Sequence, residues 1–149
     1  MARKVSEAAR GAETRTSLGE ALERVGDRWS LLIVEALLGG PRRFGDLLDD
    51  AAGIAPNILT ARLRHLEQQA VVVAVPYSSR PPRFVYELSA AGMELAGALR
   101  LLADWGGRQA ETAQPIRHRV CGTALEARWF CPTCEATVDD PEAEESELV

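Results

Sequence analysis

Between Gly26 and Leu88 the chain changes its apolar period in a fixed order, and few folds accommodate that order. GDRWSLLIVEALL is apolar on most sides of a helix, and GGPRRF breaks it. GIAPNILTARLRHLEQQA then repeats apolar residues at helical spacing, and VVVAVPYSSRPPRFVYEL alternates as strands do. Three helices followed by a two-stranded hairpin with a basic, proline-rich tip is how a winged helix-turn-helix is built. The predicted class is therefore α+β and mainly helical.

The punctuation predicts where each element begins. Ser17, with Glu20 three residues on, fits a capping box for a helix that includes Leu18, Ala21, Leu22 and Val25. Asp27 can cap a second helix over about 28–38. That helix is apolar on most sides, as a helix buried on more than one face must be. Phe44, Leu47 and Leu48 mark a short third helix. Pro56 suits the first turn of a fourth, whose buried stripe is Leu59, Leu63 and Leu66. Val71 to Val75 reads as a strand, and Phe84, Tyr86 and Leu88 as a second. Pro76, Pro81 and Pro82 confine a tip that carries Arg80 and Arg83. Ser89 can cap a last helix reaching about Gln109, with Leu95, Leu99 and Leu102 on one stripe and Ala98, Leu101 and Trp105 on another. One stripe covers the domain core. The second needs a further partner, and a symmetry-related copy is the simplest.

Rotating the fourth helix at about 100° per residue puts Asn57, Thr60, Ala61, Arg64 and Gln68 opposite its buried stripe. A face of small and hydrogen-bonding side chains with one Arg is what a helix in a major groove requires. Arg80 and Arg83 on the hairpin tip, and Arg42 and Arg43 at the start of the third helix, are candidate phosphate contacts. Taken singly, each of these residues reads more readily as a solvated surface group. The ordered set, taken by itself, leaves double-stranded DNA and a merely solvated surface nearly even.

Net charge does not oppose this. The chain has 149 residues and a formal charge of -5, but seven acidic residues and no Lys or Arg follow Cys134, leaving 17 basic against 15 acidic residues before that point. No apolar run approaches the roughly 18 residues that span a bilayer, and the N-terminus has no secretory pattern, so a cytoplasmic location is expected. No GxSxG, phosphate-cradling Gly-rich loop or HExxH occurs, and no carboxylates pair for acid–base work, so the chain is not expected to be an enzyme.

A second constellation lies near the C-terminus. His118 and Cys121, then Cys131 and Cys134, form two pairs with two intervening residues each, and nine residues separate Cys121 from Cys131. A Cys₃His set suits a closed tetrahedral zinc site, with Zn–S about 2.3 Å and Zn–N about 2.0 Å. Leu125 to Phe130 alternates as a connecting strand would, which gives a miniature zinc ribbon. A redox pair at Cys131 and Cys134 is the alternative, and three ordinary cysteines with a surface His is the bland one. His65 reads as a surface or packing residue. Trp29 and Trp105 read as core or interface, with a small-molecule effector pocket between them the weaker reading. The expected organisation is a flexible arm over 1–15, a winged helix-turn-helix domain over 16–110, a zinc-ribbon-like module over 111–138 and an acidic disordered tail over 139–149.

From Ser17 to Gly107 the chain resembles the HxlR type of winged-helix regulator, related to the MarR type. The residues that carry the resemblance are Ala21-Leu22, Val25-Gly26-Asp27-Arg28-Trp29-Ser30-Leu31-Leu32-Ile33 and Gly40-Pro41-Arg42-Arg43-Phe44-Gly45-Asp46-Leu47. Ile54-Ala55-Pro56, Leu59-Thr60-Ala61-Arg62-Leu63-Arg64-His65-Leu66-Glu67, Pro81-Pro82-Arg83-Phe84-Val85-Tyr86-Glu87-Leu88-Ser89 and Gly92 complete them. The resemblance implies a homodimeric transcription regulator, expected to be a repressor, on a palindromic operator. Its terminal helical regions would form the dimer, through Leu18, Leu22, Ala98, Leu101 and Trp105. The chain also departs from the pattern. Thr16 and Ser17 stand where members often have Cys-Pro, so any thiol sensing would fall to the C-terminal cysteines. Ala55 replaces a capping Ser, and Ala70 replaces a Gly after the fourth helix. Val73-Ala74-Val75 replaces a strand that is often basic. A thiol-responsive regulator and a zinc-ribbon adaptor that binds protein are the alternative functions.

Overall fold

The structure is a computed structural model that describes residues 16–110 and 115–138. The arm over 1–15 and the acidic tail over 139–149 fall outside the described residues. Helix α1 runs Ser17–Val25 and α2 Arg28–Leu38. A two-residue strand β1 (Arg42–Arg43) leads into α3 (Phe44–Asp50), and α4 (Pro56–Gln68) follows. Strands β2 (Val72–Ser79) and β3 (Pro82–Leu88) precede α5 (Ala90–Gln109), and β4 (Trp129–Cys131) and β5 (Ala136–Val138) form a separate hairpin. The first sheet has the order β1-β3-β2, all antiparallel.

Local chemistry explains most boundaries. Asp27 caps α2, its Oδ1 accepting from the Trp29 and Ser30 amides at 3.1 Å each. Ser89 caps α5 by accepting from the Gly92 amide at 3.0 Å. At α1 the cap is Thr16, not Ser17: Thr16 Oγ1 accepts from the Gly19 amide at 3.0 Å, and Ser17 is the first helical residue. Two adjacent hydroxyl residues can each serve as a cap, and only backbone direction chooses between them.

The core is the buried set Val25, Ile33, Val34, Leu37, Leu47, Ala51, Ile54, Leu59, Leu63, Leu66, Val71 and Val72. Leu59, Leu63 and Leu66 point α4 into it, as their spacing predicts. Tyr86, Leu88, Leu95 and Leu99 pack on its rim. Leu102 does not join them: it is 50% exposed, one turn beyond the reach of the core. Trp29 packs against the core, and the Arg28 guanidinium lies 4.6 Å from its ring centre, while Trp105 is 56% exposed.

Three expectations about strands need correction. The wing has three strands, because Arg42 and Arg43 pair with Tyr86 and Val85. The β2 strand continues through Pro76 to Ser79, so the turn is only Arg80-Pro81 and Arg83 pairs with Ser78 inside the ladder. A proline is tolerated there because β2 is an edge strand and its register shifts between Pro76 and Ser78. Near the C-terminus, Leu125 to Arg128 form no strand, and regular pairing begins only at Trp129.

Two small residues set the junction between α4, β2 and α5. Ala70 sits at φ +56°, a left-handed conformation that crowds its Cβ. The Val71 amide donates to the Leu66 carbonyl at 2.9 Å and the Ala70 amide to that of Glu67 at 3.0 Å, which completes the helix-ending motif that favours glycine. Ala70→Gly is expected to raise stability by up to about 1 kcal/mol, read as a higher denaturant midpoint with an unchanged slope. Gly92 is the opposite case. A Cβ there would lie 2.2 Å from the Val71 carbonyl oxygen, because the first turn of α5 packs directly on backbone. Gly92→Ala is expected to cost about 1–3 kcal/mol, seen as a lowered midpoint in the same measurement.

Candidate nucleic-acid interface

The α3–α4 pair forms the helix-turn-helix, and α4 turns one face outward. Asn57, Ala61, Arg64 and Gln68 are exposed along that face, and Thr60 is half-buried beside them. The Thr60 hydroxyl donates to the Pro56 carbonyl at 2.9 Å, which leaves its oxygen only acceptor lone pairs for any further partner. Ala55, the N-cap residue, makes no side-chain cap bond. The amides of the first turn of α4 are thus not bonded by its cap residue.

Two ties hold α4 in place, and both run to the elbow between α1 and α2. His65 Nε2 lies 2.9 Å from the Arg24 carbonyl, an arrangement in which the ring N–H donates. Arg62 Nε lies 3.3 Å from Asp27 Oδ1, an ion pair whose N–H is not aligned for a hydrogen bond. Asp27 also accepts from the buried Ser30 hydroxyl. Burial alone would raise the Asp27 pKa. The Ser30 donors, Arg62 and the Trp29 amide outweigh it and hold the carboxyl below its usual range. The residue that caps α2 therefore stays charged and orients α4. The resemblance singled out the Asp27 position, but sequence spacing could not show that Arg62 and Asp27 meet.

The arginines predicted as phosphate contacts separate into two groups. Arg80 and Arg83 are exposed on the wing, Arg80 in its turn and Arg83 in its strand. Arg42 is engaged by the protein itself: its Nε donates to Asp50 at 2.9 Å, and its guanidinium reaches the Pro41 carbonyl at 3.3 Å. Arg43 is the N-cap residue of α3, its amide donating to Asp46 Oδ2 at 2.9 Å. The Arg43 guanidinium lies 5.1 Å from the Tyr77 ring centre, which links β1 to β2 across the sheet. Tyr77 is exposed at this edge, and the sequence offered no signal for it beyond an aromatic residue between two prolines.

The residues expected at a dimer interface all lie on exposed surface. Leu18, Leu22, Leu101 and Trp105 are among the large apolar side chains left open, and Ala98 is exposed beside them on α5. Leu101 also borders an open cleft of about 630 Å³ whose other wall includes Ile116, His118 and Leu125. Its stripe therefore faces the C-terminal hairpins as well as solvent.

The four candidate metal ligands come together only in pairs. His118 Nδ1 is 3.2 Å from Cys121 Sγ, and the Thr123 hydroxyl is 3.3 Å from the same sulfur. Hydrogen bonds from the Thr123 hydroxyl and amide, with help from His118, hold the Cys121 thiol down to about 7. Bonds from the Cys134 backbone and thiol and the Thr133 amide lower that of Cys131. Among the described residues no three His, Cys, Asp or Glu side chains converge on a point that could hold a metal, and the three cysteines are free thiols. No helix among them is long and apolar enough to cross a membrane.

Comparison with known proteins places this geometry among related chains. Residues 24–114 match the family model described as HxlR-like helix-turn-helix. The chain is 39% identical over 122 residues to the uncharacterized HTH-type transcriptional regulator Rv3095 of Mycobacterium tuberculosis, covering 79% of this chain and 77% of that protein. The crystal structure of ytcD superposes with a TM-score of 0.61 at 32% identity, over 64% of this chain and 98% of the other. That of PA1607 superposes with a TM-score of 0.73 at 28% identity, over 91% of this chain and 94% of the other.

Proposed function

The chain belongs to the HxlR-like helix-turn-helix family of transcriptional regulators, which are not enzymes, and from that premise we propose that it is a homodimeric repressor of a palindromic operator. The observation that carries this reading is the exposed polar face of α4, Asn57 to Gln68, beside a wing that presents Arg80 and Arg83. Arg64 and Asn57 supply donors for base edges, and the Ala61 and Thr60 methyl groups supply apolar contact of the kind a thymine methyl takes. Arg80 and Arg83 supply phosphate contacts that set register without reading sequence. Arg42 contributes less than its position suggests, because Asp50 already holds it.

Two copies joined through α1 and α5 would place their α4 helices about 34–36 Å apart, one turn of duplex. The exposed large apolar side chains of Leu18 and Leu22 on α1 and of Leu101 and Trp105 on α5 support that joining, since a second copy would take them out of water. Repression follows if such a dimer covers a promoter. The test is a genome-wide binding map followed by titration of the recovered duplex at several salt concentrations. The expected result is two chains per site, with affinity falling steeply as salt rises, by a log–log slope of about −0.9 for each phosphate neutralised. Transcription beside the site is expected to rise when the gene is deleted. Absence of any salt-sensitive duplex binding would instead favour an adaptor that docks on protein.

A further inference from the structure

We propose that His118, Cys121, Cys131 and Cys134 bind one zinc ion per chain, because the structure sets the two pairs on the tips of two hairpins built alike. Each pair occupies the tip of a β-hairpin. In the first, Arg117 bridges Ala124, the His118 amide donates to the Thr123 carbonyl at 2.8 Å, and the Gly122 amide donates back to His118 at 2.8 Å. In the second, Phe130 pairs with Thr137 and Cys131 with Ala136. The registers are the same: the first ligand of each pair lies opposite the residue five positions on, His118 to Thr123 and Cys131 to Ala136.

The resemblance extends to the residue after the second ligand. Gly122 follows Cys121 at φ +72°, and Glu135 follows Cys134 at φ +52°. A non-glycine residue in the left-handed region is uncommon. Here it turns the chain where glycine turns it in the other hairpin. A redox dithiol at Cys131 and Cys134 would need no second hairpin of matching register.

The module also lacks what would hold two hairpins together without a metal. From Pro115 to Val138 no residue is buried, and only Cys131 is even half-buried. Val120, Leu125, Trp129 and Phe130 are all exposed. Two short hairpins with no core are not stable in water on their own, and small units of this kind depend on a metal or a disulfide. In the structure the donors meet in pairs and not as a group of four. Zinc supplies the missing link: each thiol releases its proton to solvent, and three thiolates with one neutral imidazole close a tetrahedral site of net charge −1.

The experiment uses the full chain purified without chelator. Elemental analysis is expected to give one zinc per chain. Exchange into Co²⁺ is expected to give the visible bands of tetrahedral cobalt with a sulfur-to-metal charge-transfer band. Cys121→Ser and Cys134→Ser, one in each hairpin, are each expected to lose stoichiometric metal. Stripping zinc from the unsubstituted protein is expected to raise amide exchange over 115–138 and leave 17–109 unchanged. Zinc well below one per chain, a Cys131–Cys134 disulfide in the purified protein, or full metal retention by either variant would each overturn the proposal. Duplex binding is measured on the same samples. It reports on α4 and the wing, so loss of metal with retained duplex binding separates this proposal from the functional reading above.

Discussion

Replacing both Leu22 and Trp105 with Glu is expected to convert the protein to a monomer and to weaken operator binding by about 100- to 10,000-fold, the range lost when two linked contacts become independent. Leu22 on α1 is 54% exposed and Trp105 on α5 is 56% exposed. Neither belongs to the buried core, so the protomer should still fold cooperatively, its thermal midpoint lowered only by the loss of association. In a dimer the same positions would be desolvated, and four buried carboxylates without partners would exclude the interface. Light scattering reads the mass, and duplex titration reads the affinity. A variant that remains dimeric would move the interface away from α1 and α5. A monomer that binds the full operator as tightly as the parent would remove the need for two half-sites.

Arg64→Ala is expected to weaken specific binding by about tenfold to a hundredfold, the loss of one base contact worth roughly 1–3 kcal/mol. Arg64 is exposed on α4, and the ties of that helix to the α1–α2 elbow run through Arg62 and His65 instead. Arg100→Ala removes the same charge from α5, where the residue borders the cleft facing the C-terminal hairpins. That variant should bind within about twofold of the parent, as a substitution remote from the contact surface does. The comparison separates a positional role from bulk charge. Equal affinities for the two variants would sink the assignment of α4 as the reading helix. Relaxed preference at one base pair per half-site, with the salt slope little changed, would mark Arg64 as a base contact. A lower slope with unchanged preference would mark it as a phosphate contact.

Much of the fold was legible because its signals are local. Asp27, Pro56 and Ser89 each mark a helix start by their own chemistry, and all three helices begin there. The stripe of Leu59, Leu63 and Leu66 has helical spacing, and those residues are buried while Asn57, Ala61, Arg64 and Gln68 are exposed. The strand β1 was not legible. Two arginines beside a proline carry no strand pattern, and they pair only because β3 offers an unoccupied edge. The engagement of Arg42 was hidden for a similar reason, since Asp50 lies at the far end of α3, eight residues on. Leu102 shares the stripe of Leu95 and Leu99, yet the core ends before reaching it.

The candidate site divides in the same way. Periodicity and capping alone determined which face of α4 turns outward and which cysteines and histidine pair at close spacing, because both depend on residues within a turn or two of each other. Tertiary structure alone decided that His65 and Arg62 tie α4 to the α1–α2 elbow and that Arg43 meets Tyr77. Those contacts join residues separated by many turns or by whole elements. Their existence depends on how the chain closes over its core, which no local period encodes.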